Sequence, residues 1–563
     1  MTDKPIIVQN DNTVLLETGH GKAEEARKAL NGFADLWKSP EHLHTYRITP
    51  LSLWNAAASG WTADSIVHAL SEHAKFGVPK KVEEFVTSFV NRFGLLRLVQ
   101  EGSRLLLTCD DETVLRRIEG YGSMFRYFDG YRELGAIGVK PAERGEIKQE
   151  LLKLGYPVED VAGYAESETV PIRIRTVSAS GKPFQLRDYQ ERAVEAFYRG
   201  GSAEGGSGVL VLPCGAGKTV IGIFAMARLG CATLILTSNS TSVRQWKEEL
   251  LDKTELTEEE VGEYGGDRKQ VKPITIATYQ MLTHRKSKDS PYSHMRLFRE
   301  RSWGLIIYDE VHMLPAPVFR ATAEIQATRR LGLTATLIRE DSREDDVFSL
   351  VGPKRFEVPW KELEAQGWIA DVRCREIRVS MDEATSREYR GAASREQHRI
   401  AGENVEKLKA VERLLSMHDG EQTLVIGQYL DQLHRISEQF GAPLITGETP
   451  HEQREVLYRK FKRGELRLLV VSKVANFAID LPDASVAIQV SGSFGSRQEE
   501  AQRLGRVLRP KRGDNTAYFY TVVTKDSREQ DYALKRQMFL VEQGYRYQVA
   551  DAAEKLLPEE AYR

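Results

Sequence analysis

The sequence predicts an α/β protein: two tandem parallel-sheet domains preceded by a small helical domain and a small α+β domain. Three observations carry this expectation. Two series of short, β-rich apolar runs lie between residues 208 and 336 and between 423 and 523, separated by helical or loop stretches. The runs do not alternate with polar residues, as suits strands buried on both faces of a parallel sheet. A chain of 563 residues is too long for one hydrophobic core. Finally, the residues before about 180 have a different texture, with amphipathic helices and hairpin-like runs.

Composition narrows the class. Lys and Arg total 79 against 81 Asp and Glu, a formal net charge of −2, which excludes a histone-like polycation and leaves a local basic groove open. With 41% hydrophobic and 28% charged residues the chain is too apolar for general disorder. It contains no run of about 18 apolar residues, so no membrane span is expected. The start, MTDKPIIVQNDN, lacks the basic and then apolar pattern of a secretory signal. Cys109, Cys214, Cys231 and Cys374 form no C-x-x-C pair, which argues against a disulfide framework, a zinc ribbon or an iron–sulfur cluster. A cytoplasmic, multidomain protein is expected.

In order along the chain, AEEARKALNGFADLW (23–37) reads as one amphipathic surface helix. Thr49-Pro50 is an N-cap with proline at the first helical position, opening PLSLWNAAA. ADSIVHALSEHA puts Ile66, Leu70 and Ala74 on one helical face, and a third helix opens at Pro79 with Val82, Phe85, Val86 and Phe89. GLLRLVQEGSRLLLT predicts a hairpin turning at Glu101-Gly102, which completes a winged-helix-like outline over residues 1–110. Residues 111–180 read as an α+β unit ending in the linker SASGKP (178–183). A first sheet domain is expected over 181–370, with GVLVLP, TLILTS, ITIAT, LIIYDE and LGLTAT as its strands and GGSAEGGSG (200–208) as a flexible loop. Residues 371–405 read as a linker carrying a polar, helical insertion at 381–402. A second sheet domain over 406–545 has TLVIGQY, PLITG, LRLLVVS, VAIQVS and TAYFYTVV as strands, and 546–563 is a tail.

Three motifs carry chemistry. GVLVLPCGAGKTVIGIFA is a strand, a glycine-rich turn and a helix. In such a turn the backbone N–H groups of Pro213–Gly217, less the proline's, and the helix N-terminus hold phosphates. Lys218 reaches the outer phosphates and Thr219 ligates magnesium. Leu212 replaces the first glycine of the strict pattern, so taken alone the string also fits an ordinary turn. In WGLIIYDEVHML, Asp309 and Glu310 end an apolar strand. Asp309 suits the magnesium of the same nucleotide and Glu310 the attacking water, whereas two exposed strand-end acids are the plainer alternative. His312 by itself means little. In QRLGRVLRP, Gln502, Arg506 and Arg509 share one helix face. Arginines held this way suit a γ-phosphate, as a finger supplied by the second sheet domain, or else a solvated basic face.

These motifs, in this order, resemble those of superfamily 2 helicases and specifically the XPB family. The resemblance rests on LRDYQERAVEAF, LPCGAGKT, SNSTSVRQWKEEL (238–250), DEVH (309–312), TAT (334–336), LIREDSREDD, the stretch 352–374, SKVANFAIDLPDA and SGSFGSRQEEAQRLGRVLR, and it runs from about Tyr46 to Val523. ITPLSLWNAAASGW and EIKQELLKLGYPVEDVAGY are similar to the family's N-terminal and damage-recognition-like domains. The resemblance implies RecA-like sheet domains that bind ATP and Mg2+. Pro213, Gly215, Ala216, Gly217, Lys218 and Thr219 would hold the phosphates, Arg187 and Gln190 would lie on the adenine side, and Arg339, Glu340 and Asp341 would help open the duplex. It implies a DNA translocase or helicase with 3′→5′ polarity, acting in DNA repair on single-stranded, forked or duplex DNA, with a nuclease as a possible partner and no membrane. Where family members read Gly-Asp in the SKVANFAID segment, this chain has Ala475-Asn476.

Two other functions stay open at this stage. The same motor could translocate on duplex DNA without separating strands. A DNA-binding scaffold with a decayed ATPase is the third reading, and the intact GKT, DE and GR-x-x-R sets argue against it. The local candidate for DNA contact is RLGRVLRPKR (503–512), while Trp360, Trp368 and Phe477 read as core or interdomain aromatics.

Overall fold

The computed structural model describes residues 4–39, 42–213, 215–266, 268–285, 287, 290, 292–326, 328–337, 343–472, 484–492, 515–545 and 547–552. The chain divides into two compact units. One comprises Met1–Asp35, Thr45–Leu212 and Gly217–Val358; the other comprises Leu36–His44, Pro213–Ala216 and Pro359–Arg563.

The N-terminal part of the first unit opens with the antiparallel strands Ile6–Val8 and Thr13–Glu17. The expected helix over 23–37 stops at Asn31, and Asp35–Lys38 is a strand. The stop falls at Gly32, where a Cβ would lie 2.7 Å from the Trp61 ring. Helix Pro50–Ala58 begins at the N-cap expected at Thr49, which Ser52 completes into a capping box, and Ala63–His73 repeats the device with Thr62 and Ser65. Ile66 and Leu70 are fully buried, as are Val82 and Val86 of helix Lys80–Val90.

The hairpin Leu96–Glu101/Arg104–Thr108 does not complete a winged helix. It forms the middle of a five-stranded sheet with Phe128–Glu133, Ala136–Val139 and Val158–Asp160, so it belongs to the α+β domain and shifts that boundary from 110 to before residue 96. The reason is packing: Leu96, Leu98, Leu105 and Leu107 share a core with Leu115, Ile118, Ile147 and Leu151. The linker 178–183 is pinned to the first sheet domain, with Ala179 N–H and Ser180 N–H donating to the Asp252 backbone and side-chain oxygens at 2.8 Å each. The Gly/Ser stretch is held as well, because the Tyr164 hydroxyl reaches Ser207 Oγ at 3.0 Å.

The first large sheet has eight strands in the order Arg268–Lys269, Val261–Gly265, Ile274–Thr278, Thr233–Thr237, Leu305–Asp309, Arg329–Thr334, Ser207–Val211, Lys354–Glu357. All its pairings are parallel except that of the edge strand Arg268–Lys269. Leu305–Tyr308 and Leu234–Leu236 are fully buried, which explains their unalternated composition.

The second unit carries a seven-stranded parallel sheet in the order Leu444–Ile445, Leu468–Ser472, Thr423–Gly427, Val486–Gln489, Thr516–Thr524, Asp371–Val379, Tyr547–Asp551. Two of its strands fall where a linker and a tail were expected. DVRCREIRV hides its strand character behind charge: Glu376 is buried, paired with Arg378 at 2.8 Å and bonded by Gln537, and Arg375 donates to Gln548 at 3.0 Å. The insertion at 381–402 forms helices Glu383–Gly391 and Ser394–Gly402. The second of these is seated on the unit through Thr524 Oγ1, which donates to Ala401 O at 2.6 Å, and through His398, 2.6 Å from the Tyr429 hydroxyl. Trp360 is core and packs edge-on to Tyr545, whereas Trp368 is exposed. Among the described residues no helix is long and apolar enough to cross a membrane. Cys109, Cys231 and Cys374 are buried.

Candidate active site

The sequence after strand Ser207–Val211 has no option but a tight turn. Gly215 and Gly217 both sit at positive φ, +83° and +79°, a region an L-residue enters only with strain. Helix Lys218–Leu229 starts directly at Lys218, so its unbonded N–H groups and positive dipole end lie at the turn. Among the described residues nothing lies within 4 Å of a Cβ built on Gly215. At Gly217, by contrast, Gln190 closes the turn: a Cβ there would lie 2.6 Å from Gln190 Nε2. Gln190 is buried and its Oε1 accepts from Arg187 N–H at 3.0 Å, while Arg187 Nη1 donates to the Tyr189 hydroxyl at 3.3 Å. The segment expected on the adenine side therefore abuts the glycine-rich turn.

Strand Leu305–Asp309 lies two strands from the one that feeds the turn, with Arg329–Thr334 between them. Both ends open at the carboxyl edge of the sheet, where parallel α/β sheets place ligands. Glu310 follows at φ +53°, ψ +56°, a left-handed conformation that a glutamate adopts only when its surroundings enforce it. Its Oε1 accepts from Lys218 Nζ at 2.8 Å, and the two side chains are 18% and 12% exposed. His312, set aside on sequence grounds, ties this loop to the TAT segment. Its Nδ1 lies 2.7 Å from Thr334 Oγ1, and Thr334 Oγ1 in turn donates to Thr336 O at 2.6 Å. With that hydroxyl proton committed, the histidine Nδ1 carries the hydrogen.

Asp309 is a strongly perturbed acid. Burial, and next the neighbouring Glu310 charge, push its carboxyl up to about 6 against the opposing pull of Lys218 and a bond from Trp246. Trp246 Nε1 donates to Asp309 Oδ2 at 2.9 Å, and the Tyr279 hydroxyl donates to Asp309 O at 2.9 Å. Neither aromatic residue was singled out from the sequence. The one legible signal is a tryptophan in the charged stretch SVRQWKEEL, opposite a glycine four residues after Lys218.

The donor set fits a nucleotide with magnesium. The turn offers N–H groups and an ammonium, and Thr219 and Asp309 offer hard oxygens of the kind Mg2+ takes, one or two at a time, with phosphates and waters completing the shell. Among the described residues no group of three or more His, Cys, Asp or Glu could hold a metal alone. Gln502, Arg506 and Arg509 lie outside the described residues, as do Arg339, Glu340 and Asp341, Ala475-Asn476, Phe477 and the basic stretch 503–512.

The chain is similar to known proteins along nearly its whole length. Residues 363–562 match the family model described as ERCC3/RAD25/XPB C-terminal helicase. Residues 183–339 match that of the type III restriction enzyme res subunit, and residues 6–121 one described as a helicase conserved C-terminal domain. The chain is 52% identical over 559 residues to the DNA 3′-5′ helicase XPB of Mycobacterium tuberculosis, covering 99% of this chain and 100% of that protein. It is 51% identical over 553 residues to the protein of the same name from Kineococcus radiotolerans, covering 98% and 97%. A general transcription and DNA repair factor IIH helicase/translocase subunit XPB from Antonospora locustae is 34% identical, covering 98% of this chain and 82% of that one.

Proposed function

Because the chain belongs to the XPB family of helicases, we propose that it is an ATP-dependent DNA helicase with 3′→5′ polarity that serves DNA repair in the cytoplasm. The observation that carries the reading is the 2.8 Å contact between Lys218 of the glycine-rich turn and Glu310 at the end of the neighbouring acidic strand. It joins a phosphate cradle to a base for water activation at one edge of one sheet.

The chain's own groups divide the work. The turn from Pro213 to Gly217 and the helix N-terminus bind the phosphates, with Arg187 and Gln190 flanking the base. Mg2+, held by Thr219 and Asp309, would supply neutralisation of phosphate charge. Lys218 transfers from Glu310 to the outer phosphates, because a polyphosphate offers an ammonium more charge than one carboxylate does. Glu310, no longer neutralised by Lys218, then accepts the proton of the attacking water. Gln502, Arg506 and Arg509 of the second sheet domain are assigned to the γ-phosphate, and Arg339, Glu340 and Asp341 to duplex opening. DNA is the polymer acted upon, and any strand cleavage falls to a separate nuclease partner.

Steady-state ATP hydrolysis without DNA and with single-stranded, duplex or forked DNA tests this. Glu310→Gln is expected to keep nucleotide binding and to lower kcat by ~10²–10⁴-fold, the usual worth of a positioned base. Lys218→Ala is expected to lose binding as well as turnover. Hydrolysis that ignores every DNA, or that survives Glu310→Gln, would sink the proposal. Stimulation by duplex without strand separation would replace unwinding by translocation.

A further inference from the structure

We infer that Trp246 is the positioning residue for the carboxylate that holds magnesium, an assignment that rests on the reading of Asp309 as the metal ligand. Trp246 stands on helix Ser240–Lys253, whose first turn is capped by Asn239, with Ser242 N–H donating to Asn239 Oδ1 at 2.9 Å. Its side chain is 1% exposed, yet it carries an N–H that costs free energy to bury without a partner. That partner is a charged one, Asp309 Oδ2 at 2.9 Å.

The ring is held in place from the other end. Gly222 lies four residues after Lys218 in helix Lys218–Leu229, on the same face. A Cβ at Gly222 would lie 2.6 Å from Trp246 Cη2, so only glycine admits the six-membered ring against that helix. Glycine inside a helix costs roughly 1 kcal/mol relative to alanine, a cost with an evident use here. The indole thus spans from the phosphate-binding helix to the acidic strand. With the Asp309 carbonyl bonded by the Tyr279 hydroxyl and Oδ2 by the indole, the carboxylate is held in one orientation at the strand end.

Donors that orient a metal-ligating carboxylate are worth about 10–100-fold in metal affinity. The test is equilibrium binding of a fluorescent ADP analogue to the full chain, in EDTA and across a Mg2+ titration, for the wild type, Trp246→Phe and Asp309→Asn. Phenylalanine keeps most of the packing and removes the N–H. The expected result is a Mg2+ midpoint raised by about 10–100-fold in Trp246→Phe, with binding in EDTA unchanged. An unshifted midpoint overturns the assignment, and so does an equal loss with and without Mg2+, which a merely structural tryptophan would give. Asp309→Asn separates the two levels. If it retains the wild-type Mg2+ dependence, the reading of Asp309 itself fails; if it loses that dependence while Trp246→Phe keeps it, only the role of Trp246 fails. Should Trp246→Phe not fold, the benzothiophene analogue of tryptophan at position 246 preserves ring shape without the N–H and is judged by the same criteria.

Discussion

Asp309 shows what a buried carboxyl costs its own fold. Its carboxyl is pushed up to about 6, first by burial and then by the charge of Glu310. A folded-state value raised above the usual carboxylate range means that the folded chain binds the proton more tightly than the unfolded chain. The stability this contributes is fully present below about pH 4 and is lost as the pH rises through the folded value. Near neutral pH the metal-free protein therefore carries a buried anion at a cost of up to ~3 kcal/mol. Asp309→Asn keeps the shape and removes the charge, so it should raise the melting temperature in EDTA near neutral pH while hydrolysis is lost. The gap to the wild type should narrow as the pH falls toward 4. Thermal melts at two pH values check this, and a gap that does not change with pH would count against it.

At the scale of elements, helix Arg144–Lys153 carries the α+β domain on the first sheet domain. A side chain on Gly145 would collide with the Ala323 backbone, so two backbones meet there. Around that contact Asp160 accepts from Arg144 Nη2 and Lys148 Nζ at 2.7 Å each, and Lys148 also donates to Gln326 of the sheet domain. Burial lowers the Lys148 ammonium to about 8, and Lys148 and Arg144 hold the Asp160 carboxyl well below the usual range. By the sign of that second shift, the contribution of Asp160 is present above about pH 4 and lost as the pH falls further. Asp160→Asn leaves two cations, 5% and 10% exposed, without their counterion. A buried pair broken on one side costs about 3–5 kcal/mol. Urea unfolding should show that loss near neutral pH, and a change within error would show that the network is not a structural latch.

At the scale of the whole first unit, three stretches far apart in sequence meet in one apolar cluster. Trp54 of helix Pro50–Ala58, Leu152 of the α+β domain and Phe348 of helix Glu344–Leu350 are buried together. The Trp54 indole donates to Phe89 O at 3.1 Å and its ring lies 6.2 Å from that of Phe348. The N-terminal domains and the first sheet domain are therefore expected to unfold together. Trp54→Ala removes the piece they share, at about 3–5 kcal/mol for an aromatic truncated in a core. Calorimetry should show a lower melting temperature and a transition split or broadened relative to the wild type. A single sharp transition at the wild-type temperature would mean that the cluster does not couple the parts.

What was legible in the sequence was local. Strands buried on both faces announce themselves as unbroken apolar runs, which is why GVLVLP, LIIYDE, TLVIGQY and TAYFYTVV were found. Caps and glycine turns are written in two to five residues, so Thr49-Pro50, Gly215, Gly217 and Lys218 could be read directly. Partner choice is not local. Nothing in GLLRLVQEGSRLLLT says which domain its hairpin will join, and the charges of DVRCREIRV mask a strand until Arg378, Gln537 and Gln548 are seen to satisfy them. The same holds at the site. The sequence by itself determined which side chains are present, the lysine, threonine and two acids of a nucleotide-binding sheet. Only the tertiary structure decided that Lys218 meets Glu310, that Gln190 backs Gly217 and that Trp246 reaches Asp309, because these are contacts across 63 to 92 residues or across separate helices, set by how the sheet stacks its strands.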